Sequence, residues 1–286
     1  MDTVLEVAPE LDPRSFEIEL RALAESLEHG ADPSRHRGPG IDYVQSRLYQ
    51  TGDSDKSIDW RVTARTGRLH VREYEALRTS DLYLVLDRSG SMTAGSQAST
   101  KYSWAVRLAG ALAIAALRRM APVGVSSLGS RQVLHRPTRN EQTVRRWLDE
   151  LRRYRRNEVG GLARSLAAVE SLARPRSILL VLSDFHEPEA VPALESLVVR
   201  HECVLIKLRD PVERAGPPVG FMRARESETG RRMVAEGPSR WFESDALLER
   251  LADLGADTAV IDVDDEVPAR VAELLAGRRH AGRRVL

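Results

Sequence analysis

Two short runs, Leu82-Tyr-Leu-Val-Leu86 and Ser177-Ile-Leu-Leu-Val-Leu-Ser183, constrain this chain more than any other feature. Each is almost wholly apolar, and each is followed at once by an aspartate, Asp87 or Asp184. Runs of this length are too short for a helix, and an apolar run without alternation is what a strand buried on both faces requires. They predict parallel strands of an open α/β sheet. Such sheets bind ligands beyond the carboxyl ends of their strands, so Asp87 and Asp184 are expected as neighbours in one crevice although about a hundred residues separate them.

The remaining pattern repeats the same beat. Helices are predicted near 102–120, 140–155, 161–173, 189–200, 243–254 and 267–277, with further strands at 123–128, 131–135, 202–208 and 258–263. The strands at 123–128 and 131–135 read as a hairpin through Gly129-Ser130. Strands separated by helices imply right-handed crossovers and a doubly wound, mostly parallel sheet covered on both faces. Ahead of this lies a helix over 15–29, with Phe16, Leu20, Leu23 and Leu27 at helical spacing, then a charged stretch at 31–80 holding Tyr43, Tyr49, Trp60 and Tyr74. The stretch reads as a small segment of short strands, so the chain divides into a flanking segment, 1–80, and an α/β domain, 81–286. Residues from 209 to about 238 read as irregular.

With 286 residues and 42% apolar content, the chain is long enough to bury a sizeable core. Its one cysteine, Cys203, lies in Glu-Cys-Val-Leu-Ile and reads as a small core residue, so no disulfide framework forms within one chain. The acidic start Met-Asp-Thr-Val-Leu-Glu is not a signal peptide, and the apolar run Leu108–Leu117 is closed by Arg107, Arg118 and Arg119, too short to span a bilayer. A cytoplasmic protein is expected.

Asp87-Arg-Ser89-Gly-Ser91 places one carboxylate and two alternating hydroxyls on a turn. That donor set suits a hard cation such as Mg²⁺, which takes oxygen ligands and retains water, and Asp184 would add a second carboxylate. The competing reading is a helix N-cap without metal. The spacing Asp-x-Ser-x-Ser resembles the metal-ion-dependent adhesion site of von Willebrand factor A domains. That resemblance implies a threonine from an intervening loop, and Gly160 stands there instead, with Glu158 or water left to substitute.

A longer resemblance lies upstream. Arg47-Leu-Tyr49-Gln-Thr-Gly52-Asp53, Ile58-Asp59-Trp60, Ala64-Arg65 and Leu69-His-Val-Arg72-Glu73-Tyr74-Glu75, followed in order by Asp-x-Ser-x-Ser-Met, resemble the signature of the domain-of-unknown-function-58 family. Asp210-Pro211-x-Glu213 and Ala224-Arg225-Glu226-Ser-Glu228-Thr229-Gly230 resemble its later segment. The resemblance runs from about residue 35 to 277. It implies a von Willebrand factor A-like, Rossmann-type domain and a non-enzymatic adaptor working with a MoxR-type AAA+ ATPase on a client protein complex, including metalloenzymes such as methanol dehydrogenase. Metal ligands would be Asp87, Ser89, Ser91 and Asp184, with weak or partner-dependent Mg²⁺.

Two further clusters carry charge. Asp53, Asp59 and Arg65 read either as a fold-stabilising ion-pair network or as a partner surface, with Trp60 as an apolar anchor. Residues 118–156 hold eleven arginines against Glu141, Asp149 and Glu150, although the net charge is only +1. Val144, Trp147, Leu148 and Leu151 share one helical face, which leaves Arg145, Arg146, Arg152, Arg153, Arg155 and Arg156 largely outside, as a solvated face or one that meets an acidic protein partner. No recognised nucleic-acid module accompanies them, and Arg278, Arg279 and His280 read as a solvated end. Enzymatic alternatives lack parts. A strand-end aspartate phosphatase needs a second carboxylate where Ser89 stands, and a serine hydrolase using Ser89 or Ser91 lacks both a nucleophile elbow and a placed base, His186 reading as a crevice-rim residue.

Overall fold

The computed structural model describes residues 6–7, 16, 19–25, 41–76, 80–93, 95–154, 161–215, 221–225, 232–236, 243–264 and 266–280. They fall into two compact units, residues 33–79 and the remainder of the chain.

The larger unit is built on a six-stranded sheet. Its strands are β1 (Leu82–Leu86), β2 (Val123–Leu128), β3 (Gln132–Thr138), β4 (Ile178–Ser183), β5 (Glu202–Arg209) and β6 (Asp257–Asp262). Their spatial order is β6-β5-β4-β1-β2-β3, and every pair is parallel except the β2-β3 hairpin. The chain leaves β1 toward β2 on one side and returns to β4 on the other. That reversal is the topological switch point of an open α/β sheet, the place where a crevice opens beyond the strand ends.

The helices are α1 (Lys101–Arg118), α2 (Glu141–Leu151), α3 (Leu162–Leu172), α4 (Val191–Arg200), α5 (Glu243–Asp253) and α6 (Val267–His280). Side chains of a strand alternate between faces. Accordingly Leu82, Leu84 and Leu86 join one core with α1, α2 and α6, while Tyr83 and Val85 join the other with α3, α4 and α5. Both faces are therefore covered, as the unbroken apolar runs required. Thr100 caps α1 by accepting from the Ser103 amide, and Asn140 caps α2 by accepting from the Thr143 amide.

Several expectations need correction. The helix around 19–25 packs with the sheet unit, where Phe16, Leu20 and Ala24 are buried in the first core. It does not group with the segment that follows it. The stretch after β5 contains a short helix, Pro211–Ala215, and an antiparallel pair of strands, Phe221–Arg225 with Arg232–Glu236. The helix expected to reach 155 ends at Leu151, and Arg153–Tyr154 instead pairs with Glu6–Val7. Arg278 is buried against Asp257 and Glu202 rather than solvated, and Arg152 is buried with its guanidinium on Asp149 at 2.8 Å rather than lying outside its helix. Cys203 is buried in the second core, as its apolar neighbours implied.

Within residues 33–79, Ile41–Leu48 pairs antiparallel with His70–Ala76, and a helix, Trp60–Thr66, lies between them in sequence. The Asp59 carboxylate caps that helix by accepting from the amides of Arg61 and Val62, and Gly67 closes it at φ 69°. Trp60 is 65% exposed, so it is no core anchor, whereas Val71 is buried. No helix among the described residues is long and apolar enough to cross a membrane.

Candidate functional site

The two strand-end aspartates do meet. β1 and β4 run side by side with Leu86 opposite Leu182, and the Asp87 amide continues the ladder by donating to the Leu182 carbonyl at 3.0 Å. Asp87 thus lies beside Ser183, whose Oγ donates to Asp87 Oδ2 at 2.6 Å. The other carboxylate oxygen accepts from the Ser89 amide at 2.8 Å, closing the turn. Ser89 Oγ and Ser91 Oγ are 2.9 Å apart. Phe185 then takes a left-handed backbone, φ 54°, and its amide donates to Ser183 Oγ at 2.8 Å. That unusual conformation for an aromatic residue turns the chain sharply after Asp184.

Asp184 is buried and partnered on one side only. Its Oδ2 accepts from Lys101 Nζ at 2.9 Å and lies 3.5 Å from His186 Nδ1, whereas its buried Oδ1 meets no donor in hydrogen-bonding geometry among the described residues, although the Ser91 hydroxyl lies near the carboxylate. Lys101 Nζ also donates to Glu213 Oε1 at 2.5 Å. Asp210, directly after β5, accepts from the Ser96 amide and hydroxyl at 2.7 and 2.5 Å, which ties the segment before α1 to the segment after β5. Gly95 leaves room for that contact, since a Cβ there would sit 2.7 Å from Asp210 Oδ2.

Electrostatics separate the two aspartates. Burial pushes the Asp87 carboxyl up to about 7, the Asp184 charge adds to the rise, and the hydrogen bonds from Ser183 and Ser89 only partly oppose it. Burial also raises Asp184, but the Lys101 ammonium, with His186 and the Ser91 hydroxyl, outweighs it and leaves Asp184 below the usual carboxylate range. For Lys101, burial disfavours the charged form, yet Asp184 and Glu213 hold its ammonium above the ordinary value.

Two buried carboxylates, two hydroxyls in contact and one buried oxygen lacking a donor fit a hard divalent cation. No group of three or more His, Cys, Asp or Glu side chains suited to a metal occurs among the described residues. Hydroxyls and waters would therefore complete the ligand set. Glu158 and Gly160 lie outside the described residues. Gly161 is described, and its backbone passes so close to β2 that a Cβ would fall 1.9 Å from the Leu128 carbonyl oxygen. Beside it the Glu187 carboxylate accepts from the Leu162 and Ala163 amides at 2.8 and 3.1 Å, satisfying the start of α3.

The other candidate residues are apart from this crevice in sequence and role. Asp53 is held by Arg47 in a two-pronged pair, both contacts at 2.7 Å, and Asp59 accepts from Ser46 Oγ at 2.7 Å besides capping its helix. Those two aspartates are structural partners within residues 33–79. Arg65 is exposed and carries no ion pair among the described residues. Arg145 pairs with Glu141 at 2.8 Å, and Arg146 is exposed beside Arg131, Asp149, Glu150 and Arg153 around a cavity of about 390 Å³. Lys101, Ser183 and Glu213 were not legible as site residues. The one local signal is a lysine in the first turn of α1, where the helix dipole disfavours a cation.

The fold and site define an open α/β protein with two buried aspartates and three serines gathered beyond the strand ends at its switch point. The chain belongs to the family described as "Protein of unknown function DUF58", which it matches over residues 45–241. Uncharacterized proteins of Mycobacterium tuberculosis and Mycobacterium bovis are 30% identical to it over 222 residues, covering 76% of this chain and 70% of theirs. An uncharacterized protein of Bacillus subtilis, YeaD, is 23% identical over 171 residues, 56% of this chain and 40% of its own. A solved structure of an uncharacterized membrane spanning protein from Vibrio fischeri is 19% identical, spans 66% of this chain and 94% of its own, and superposes with a TM-score of 0.22.

Proposed function

We propose that this protein is a non-enzymatic docking module whose larger unit is von Willebrand factor A-like, and that its strand-end crevice holds Mg²⁺ weakly and uses it to capture an acidic side chain of a partner. Asp87, Ser89, Ser91 and Asp184 would hold the ion. When bound, a divalent cation supplies a positive centre with exchangeable positions that a partner Asp or Glu can enter. The chain's own residues do the rest. Ser183 and the Ser89 amide orient Asp87, and Lys101 fixes one oxygen of Asp184.

The observation that carries this reading is Asp184 Oδ1, a buried carboxylate oxygen with no hydrogen-bond donor among the described residues. Such a group is costly to bury and calls for a cation or a donor from elsewhere. A non-enzymatic role draws support from the surroundings of Asp87, where the hydrogen-bonding groups are a serine hydroxyl and a backbone amide rather than a second acid or base. The partner proposed is a MoxR-type AAA+ ATPase acting on a client complex, with the arginines at 145 and 146 and the exposed Arg65 as additional contact points.

Binding of a purified MoxR-type ATPase from the same genome tests the proposal, run in Mg²⁺ and in chelator with wild type and Asp87→Ala. Retention in Mg²⁺ that is lost in chelator and in Asp87→Ala is the expected result. Undiminished capture by a well-folded Asp87→Ala protein would overturn the crevice as the docking site.

A further inference from the structure

We infer that the Lys101 ammonium is a tethered counter-ion of the crevice, holding its carboxylates together when no divalent ion is present and limiting how tightly one binds. This rests on the proposal that the crevice is a cation site.

The position of Lys101 is unusual for a lysine. It is the first residue of α1, where the helix dipole favours anions, and its side chain is only 1% exposed. Neither local propensity nor solvation recommends an ammonium there; the carboxylates do. Its Nζ bridges Asp184 at the end of β4 and Glu213 on the short helix after β5, groups 83 and 112 residues away in sequence. Without it, Asp184 and Glu213 would lack their shared ammonium next to Asp87 at the carboxyl ends of the strands, with the His186 ring 3.5 Å from Asp184 as a further neighbour. An unpaired buried charge is strongly destabilising, so Lys101 lets the edge fold without metal.

The same ammonium has a second effect. It takes Asp184 Oδ2 and leaves Oδ1, so a divalent ion entering at Oδ1 would sit next to a fixed positive charge. Like charges at that separation repel, most of all where water is excluded. Metal affinity is therefore set by Lys101 and Glu213 in opposite senses, although neither supplies a ligand.

The experiment is Mn²⁺ and Mg²⁺ titration calorimetry with thermal melts in metal and in chelator, on full-length wild type, Lys101→Met and Glu213→Gln. Lys101→Met keeps the stem and removes the charge; it should melt earlier than wild type in chelator, gain more from metal, and bind the ion about tenfold more tightly. Glu213→Gln keeps a hydrogen-bond acceptor for Lys101 and should bind more weakly than wild type, which provides a test even if Lys101→Met does not fold in chelator. Metal binding by wild type that neither variant changes would overturn this inference and leave the docking site standing. No metal binding by wild type or either variant would instead overturn the cation site itself, and the inference with it.

Discussion

At the scale of single residues, ion pairs here divide into those that hold the fold and those that set the site's chemistry. Arg47 and Asp53 belong to the first kind. Their paired hydrogen bonds, with the Gln50 amide donating to Asp53 as well, hold the Asp53 carboxyl down at about 2. A carboxyl whose folded pKa lies below its unfolded value, about 4, adds stability that is complete above the unfolded value and fades as pH falls through the folded one. Asp53→Asn should therefore speed hydrogen exchange of the Gln50 amide at neutral pH, and the excess over wild type should shrink between about pH 4 and 2. A difference that stays constant over that window would show that the charge of Asp53 does not stabilise the turn. The aspartates at 87 and 184 were legible because a strand buried on both faces is announced by its own residues. Lys101 was not legible, because a lysine after a threonine cap looks solvated until a carboxylate 83 residues onward closes over it.

At the scale of elements, the start of α3 shows how tightly the crevice is framed. Gly161 lies against the backbone of β2, so Gly161→Ala must shift either β2 or α3. The predicted cost is about 1–3 kcal/mol, in the range of core overpacking, measurable by urea denaturation. A Gly161→Ala protein as stable as wild type would mean that α3 can move away from the sheet freely. Strands and helices with strong periodicity were legible nearly to their ends, β1 and β2 at their expected bounds. Two kinds of element were not. Phe221–Arg225 and Arg232–Glu236 are short, charged strands whose pairing with each other, rather than apolar pattern, defines them. Trp60 misled in the other direction, since an aromatic residue among charges suggests an anchor, while the cap at Asp59 fixes a helix that turns it outward.

At the scale of the whole molecule, the first helix decides what the minimal folding unit is. Leu20 is buried against α1, and its methyls occupy the space left by Gly110, where a Cβ would lie 2.7 Å away. Leu20→Ala should cost about 2–5 kcal/mol, as for other large-to-small changes in a core. The check is the midpoint of thermal or urea unfolding of the full chain; a loss under about 0.5 kcal/mol would show that the helix is dispensable to the sheet unit. Sequence reading set the boundary at 80 because the charged stretch 31–80 lacks apolar runs, and it grouped the helix with that stretch by adjacency. Membership of a core depends on what a face packs against, which adjacency does not reveal.

The placement of aspartates immediately beyond parallel strands has a consequence for how such a protein can change over time. Asp87, Asp184 and Asp210 each follow a strand, and Asp262 ends one, while the strand residues of β1 and β4 are all buried in the two cores. The strand-end carboxylates and the apolar side chains that hold the sheet are thus largely separate sets, with Ser183 linking them through its hydrogen bond to Asp87. A lineage can then substitute at the strand ends on a scaffold that stays still. The chemistry at the strand ends is free to drift faster than the shape.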